Sequence, residues 1–180
     1  HGLGAILAGI YAIAGGVLAY WLVSNTGNEY TFLEGKIFRL LLIDLVLVGV
    51  FSFLTAIILN RKKARKNNEK IWDSSTKRLL INYLTPLITG GIYIIIMLSQ
   101  KNFEQVGALM LLFYGLALLN ASKYSLGNAK YLGYIQIILG LCAAIFNQYT
   151  FWFWVLGFGI VHIVYGSIMY LKYDRNKSIS

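Results

Sequence analysis

Six apolar stretches, separated by polar connections, run the length of the chain: Leu3–Val23, Ile37–Leu59, Leu79–Leu98, Val106–Ala121, Tyr131–Phe146 and Phe151–Leu171. About 20 mostly apolar residues, rising about 1.5 Å each, cross a bilayer's hydrocarbon core. Each stretch therefore reads as a transmembrane helix. The fourth and fifth are short and must stand straighter, thin the bilayer locally or extend into their polar flanks. The apolar runs are continuous rather than alternating, which favours helices over a β-barrel. The predicted fold is all-α: one transmembrane domain over residues 1–180, an integral membrane bundle of six helices.

The polar connections fall into two alternating sets. Asn60–Arg78, Ser122–Lys130 and Lys172–Ser180 hold 13 Lys and Arg residues; the other three, with Arg39 at the start of the second span, hold 3. Cationic loops are retained in the cytoplasm. The basic set, which includes the C-terminus, is therefore expected inside, and six crossings then put the N-terminus inside as well. Aromatic residues suited to the headgroup level mark both edges. Tyr20, Trp21, Tyr149, Trp152 and Trp154 fall at the outer edge, and Trp72, Tyr124, Tyr131, Tyr170 and Tyr173 at the inner one.

Composition agrees with the pattern. Hydrophobic residues make up 58% of the chain and charged residues 13%, with a mean hydropathy of +0.64. A soluble domain carries about 25% charged residues and would leave such runs in water. The formal net charge of +9 raises the question of nucleic acid. No recognition module accompanies it, so no nucleic-acid partner is expected. The expected partners are the bilayer and its anionic lipids at the cytoplasmic face. Arg61, Lys62, Lys63, Arg65 and Lys66 are the headgroup-binding cluster, each cation near the surface contributing about 1 kcal/mol. A homo-oligomer fits so small a bundle. The chain starts at His1, directly against an apolar run, which reads as a processed or truncated N-terminus.

Two ionisable residues interrupt the apolar runs. Asp44 lies about 10 Å below the outer edge and His162 near mid-membrane, at a rise of about 1.5 Å per residue. An exposed Asp at mid-bilayer costs about 2.5–3.5 kcal/mol on insertion scales, so Asp44 must face the bundle or a wet cavity, or be neutral. Arg39 stands about 140° away on the same helix, too far round for a direct pair. An imidazole at the depth of His162 serves as a relay, a ligand or a hydrogen-bonding peg. The two depths differ by about 6 Å, and one shared polar pocket with Gln136 and Tyr114 is the sharpest expectation. A hydrogen-bonded structural role is the plainer reading of each.

Pro86 should kink the third span. Thr89, Gly90 and Gly91 follow at once, as in a broken helix lining a cavity. The plainer reading is close helix packing through small residues, with Thr85 or Thr89 satisfying the freed carbonyl. Gly157, Gly159 and Gly166 suit tight contacts in the sixth span. The first and fifth spans both open on Leu-Gly (Leu3-Gly4 and Leu132-Gly133), a slight hint of paired hairpins. Cys142 reads as a small buried hydrophobe. No Walker loop, GxSxG, HExxH, CxxC or glycosidase-type acid pair is present. No catalytic residue, metal site or cofactor is therefore expected, and the only second histidine for a haem is His1.

Three segments, KIWDSSTKRLLINYLTPLITGGIY, LLFYGLALLNASKYSLGNAKYLGY and FWVLGFGIVHIVYGSIMYLKY, resemble a family of small, uncharacterised six-span bacterial inner-membrane proteins. The resemblance extends from Gly2 to Tyr173. It implies residence in the bacterial inner (cytoplasmic) membrane; the family carries no established activity, and its frequent genomic neighbour, a winged-helix regulator, mildly favours a sensing or stress role. It transfers no functional residue. The expected function is binding or sensing of a small molecule or lipid in an intramembrane pocket. The alternatives are a small-solute or proton-coupled transporter or channel, and an accessory subunit of a membrane complex.

Overall fold

The computed structural model describes residues 2–25, 39–40, 43–52, 54–55, 58, 74–100, 102–124 and 129–174. Among them the chain is helical, with no strand. The helices are α1 (Gly2–Ser24), α2 (Ile43–Ser52), α3 (Ser74–Ser99), α4 (Val106–Ser122), α5 (Ala129–Ile145) and α6 (Asn147–Lys172). Three of them, α1, α3 and α6, are long and apolar enough to cross a membrane; α2, α4 and α5 are shorter apolar helices. The expected headgroup cluster at Arg61, Lys62, Lys63, Arg65 and Lys66 lies outside the described residues.

Two boundaries differ from the hydropathy reading. Helix α3 begins at Ser74, five residues before the apolar run, because the polar Ser-Ser-Thr-Lys-Arg flank holds no helix breaker. The polar Asn147–Thr150 segment, expected as an outer connection, is instead the entry to α6. Asn147–Tyr149 forms a 3₁₀ turn, and Phe146, at φ −107° and ψ 60°, makes the break from α5. Val155–Val161 within α6 takes the wider π form, as does Tyr170–Asp174, which runs past its end.

The burial pattern is inverted relative to a water-soluble bundle. The buried apolar residues are chiefly small: Ala12, Ala108, Ala117, Ala121 and Ala143, joined by Leu111, Leu132 and Met169. Large apolar side chains point outward, with Val17, Ile95 and Ile145 exposed by 65%, 66% and 73%. In water that surface would be a severe liability. In hydrocarbon it carries no penalty, and helix association rests on close packing through small residues.

The chain divides into two compact units. One comprises His1–Lys63 and Phe158–Ser180, the other Ala64–Gly157. In the first unit α1 packs against the C-terminal half of α6. A Cβ on Gly9 would fall 2.7 Å from the Gly159 carbonyl oxygen and 3.1 Å from the Ile163 nitrogen. Gly2 lies likewise against Gly166 and Tyr170, so the two helices run antiparallel. In the second unit α4 packs against α5 in the same way. A Cβ on Gly115 would fall 2.7 Å from the Gly133 oxygen and 3.0 Å from the Ile137 nitrogen, and one on Gly140 would fall 3.0 Å from the Leu112 nitrogen.

One pattern underlies both seams: Gly-x₃-Ile-x₂-Gly. It reads Gly2, Ile6, Gly9 in α1; Gly159, Ile163, Gly166 in α6; Gly133, Ile137, Gly140 in α5. In α4 it reads Ala108, Leu112, Gly115. A seven-residue repeat keeps one stripe facing its partner along a gently coiled pair. Each small residue admits the neighbouring backbone, and the branched residue between fills the next turn.

Helix α3 lies on the other side of α4. Gly90 is buried against the Phe113 ring, and Tyr93 stands 6.5 Å from the same ring. The helix runs from Ser74 to Ser99 without interruption at Pro86, so no broken helix is present there. The hydroxyls of Thr85 and Thr89 donate to the carbonyls of Ile81 (2.8 Å) and Thr85 (2.9 Å). Neither reaches Asn82, whose carbonyl would receive the hydrogen bond that proline cannot donate. Pro86→Ala restores that donor. It should raise the unfolding midpoint in detergent, by up to about 3 kcal/mol of stability; an unchanged midpoint would show the site already adapted to proline.

Candidate functional site

Asp44 sits on the α2 face that meets α1. That face carries Asp44, Val48 and Phe51, spaced four and three residues apart, which is one stripe of a helix, and Thr55 follows beyond the end of α2. Phe51 and Thr55 meet Tyr11: the Tyr11 and Phe51 rings are 6.3 Å apart, and the Tyr11 and Thr55 hydroxyls 3.4 Å apart. Val48 and Asp44 meet Gly15. A Cβ on Gly15 would fall 2.6 Å from Val48 Cγ2 and 3.2 and 3.4 Å from the two carboxylate oxygens. The absent side chain of Gly15 is what makes room for the carboxyl group. Asp44 is only partly buried, and among the described residues it makes no hydrogen bond or ion pair.

His162 lies in the α6 half of the same unit. It is buried, 5% exposed, and its ring stacks on Phe158 at 5.9 Å and 20°. The structure does not bring it to Asp44. On α1, Gly2, Ile6, Gly9 and Ile13 face α6, whereas Tyr11 and Gly15 face α2. Tyr11 and Gly15 follow Gly9 and Ile13 by two residues, which is about 200° round a helix of 3.6 residues per turn. Asp44 and His162 thus address opposite faces of α1. They also differ in level. The antiparallel pairing of Gly9 with Gly159 and Ile163 sets His162 beside about Ala8, while Asp44 is beside Gly15. Seven residues of α1 separate those levels, about 10 Å. The shared pocket expected from depth alone is therefore not formed by direct contact.

Gln136 and Tyr114 belong to the other unit. The α4–α5 pairing puts them at one level, but on different sides of it. Gln136 is fully buried and faces α6, where its Nε2 donates to the Gly157 carbonyl at 2.7 Å. That carbonyl belongs to the Val155–Val161 π segment. A π turn shifts the backbone ladder and offers carbonyls to outside donors. Tyr114 faces α3 and shares a side-chain hydrogen bond with Tyr83. These two residues act as ties between helices.

Gln136 and His162 occupy the same place in their respective seams, one residue before the isoleucine of the repeat. That equivalence was readable in the sequence once Gly133-x₃-Ile137-x₂-Gly140 and Gly159-x₃-Ile163-x₂-Gly166 are aligned. Gly90 serves packing, as the plainer reading had it, while a Cβ on Gly91 would meet nothing within 4 Å. Among the described residues no group of three His, Cys, Asp or Glu side chains is placed to hold a metal ion.

Asp44 is thus the one sequence-derived candidate whose polar group is set in a helix seam without a partner among the described residues. The chain matches no protein-family model, no curated protein and no solved structure, so these side chains alone carry the functional reading.

Proposed function

We propose that the chain is a multi-pass protein of the bacterial inner membrane, crossing six times with both termini in the cytoplasm, that binds or senses a small molecule or lipid at an intramembrane site centred on Asp44. The apolar helices, the outward-facing large side chains and the alternation of 13 against 3 cations along the connections support the topology. The resemblance to small inner-membrane proteins agrees with it, and the basic Arg61–Lys66 stretch would hold anionic lipid headgroups.

The observation that carries the function is Asp44 at the Gly15 notch. A carboxyl group in hydrocarbon costs about 2.5–3.5 kcal/mol unless neutralised or paired, and the described chain supplies no pair. A role that lets a ligand fill that vacancy accounts for its position. In reconstituted protein, a ligand that engages Asp44 should raise the unfolding midpoint, by about 2.7 kcal/mol at one hundred times its dissociation constant. Asp44→Asn should abolish that rise while leaving the unliganded midpoint at or above that of the wild type. A ligand-induced rise that survives in Asp44→Asn would put the site elsewhere.

An accessory-subunit role is the second reading, favoured by the tight glycine seams and by the buried ties at Gln136 and His162. A small-solute or proton-coupled transporter using Asp44, His162 and the Pro86 kink is the third reading.

A further inference from the structure

We propose that the ligand received by Asp44 is an amphipathic amine, one cationic N–H donor on an apolar body, entering from the lipid phase along the α1/α2 seam; this rests on the six-span reading above. Three features select that chemistry. The first is the shape of the seam. It is filled at Tyr11 by Phe51 and Thr55 and at Gly15 by Val48 and the Asp44 carboxyl group, so the carboxyl group is fixed in the seam while the partly buried Asp44 keeps one side open.

The second is the wall around it. Ile43, Val46 and Leu47 flank Asp44 on α2 and are all exposed, and α1 from Gly2 to Ser24 contains no Asp, Glu, Lys, Arg or His. Arg39, the nearest cation in sequence, precedes Asp44 by five residues and lies outside α2. Among the described residues, a ligand that reaches the carboxyl group therefore meets mainly apolar side chains, which selects an apolar body.

The third is the count of polar partners. A single carboxylate neutralises a single positive charge and accepts its hydrogen bond, and such charge-assisted bonds are the strong ones. A divalent cation would need about six oxygen ligands, and the described residues provide no such cluster. A sugar or other polyhydroxylated solute would leave most of its hydroxyls unmet. An anion would be repelled. An ammonium group on an alkyl chain matches both the charge and the wall.

The test is chemical labelling of the full-length protein in lipid vesicles with dicyclohexylcarbodiimide, which partitions into hydrocarbon. The carboxylic acid adds across one N=C bond: its proton goes to nitrogen and its oxygen bonds the central carbon. The O-acylurea then rearranges to a stable N-acylurea that retains the whole reagent, which peptide mass spectrometry locates. Asp44 should carry the adduct, and Asp44→Asn should not. Dodecylamine at ten times its dissociation constant should slow labelling about tenfold, whereas dodecanol, which lacks the charge, and dodecyltrimethylammonium, which lacks the N–H, should leave it nearly unchanged.

Labelling of Asp44 that dodecylamine does not slow overturns the proposal, as does slowing by all three amphiphiles alike. An unlabelled Asp44, with the spans separately mapped by cysteine accessibility, overturns it while leaving the topology standing. Equal labelling by a water-soluble carbodiimide would instead place Asp44 against water and overturn entry from the lipid phase, and the six-span reading itself falls if cysteine accessibility also puts the residues flanking Asp44 in water.

Discussion

Gly115→Leu should cost the protein more stability than any other single change considered. A Cβ at that position meets the Gly133 carbonyl oxygen at 2.7 Å and the Ile137 nitrogen at 3.0 Å. Both atoms are backbone, so neither can rotate away, and the α4 and α5 axes must part along the whole seam. Overpacking a well-filled core costs about 1–3 kcal/mol and at times more. The gain from replacing glycine inside a helix is under about 1 kcal/mol. The net effect is a loss of about 2 kcal/mol or more, read as a lower unfolding midpoint in detergent.

The same substitution at Gly9 should act alike in the first unit, against Gly159 and Ile163. Gly91→Ala and Gly49→Ala are the controls, because a Cβ there meets nothing within 4 Å. They should be neutral, or raise stability by up to about 1 kcal/mol through helix propensity. Equal midpoints for Gly115→Leu and Gly91→Ala would rule out the glycine seam as what holds α4 to α5.

The second large effect is expected at Gln136. Its side chain is fully buried and donates at 2.7 Å to a backbone carbonyl within a π segment. Hydrogen bonds between membrane helices contribute about 0.6 kcal/mol on average and up to about 1.7. Gln136→Met keeps the volume and removes the donor, so it isolates the hydrogen bond at a loss of about 1–2 kcal/mol. Gln136→Ala also opens a cavity and should cost more. The comparison is informative because a purely steric role predicts no loss for Gln136→Met. An unaltered midpoint in that variant would reduce the Gln136–Gly157 contact to packing.

Much of the architecture is legible in the sequence because, for helices long and apolar enough to cross a membrane, hydropathy is a local property. Each apolar run is its own statement about solvent. Where the boundaries moved, the reason was equally local: the polar Ser74–Arg78 flank continues a helix that hydropathy starts at Leu79, and Asn147–Tyr149 is the first turn of α6 rather than a loop. The Gly-x₃-Ile-x₂-Gly repeat was also present to be read. A search for identical residues at the start of each span misses it, because the signal lies in spacing.

The candidate site was less legible. Depth in the membrane follows from counting residues, and counting set Asp44 and His162 within about 6 Å of one another. It said nothing about azimuth. A helix has as many faces as neighbours, and which neighbour takes which face depends on contacts far apart in sequence. Once α1 stands between α2 and α6, the two polar residues are separated by its full width.

Sequence alone determined the helical class, the positions of the apolar segments and the identity of the polar residues inside them. Tertiary structure decided which helices are partners, that Gly9 meets Gly159, that Gly115 meets Gly133, and that Gly15 leaves a notch for the Asp44 carboxyl group. The division has one physical origin. The free energy of placing a segment in hydrocarbon is a sum over its own residues, whereas the free energy of pairing two helices depends on whether the protrusions of one fit the vacancies of the other, and that is a property of neither alone.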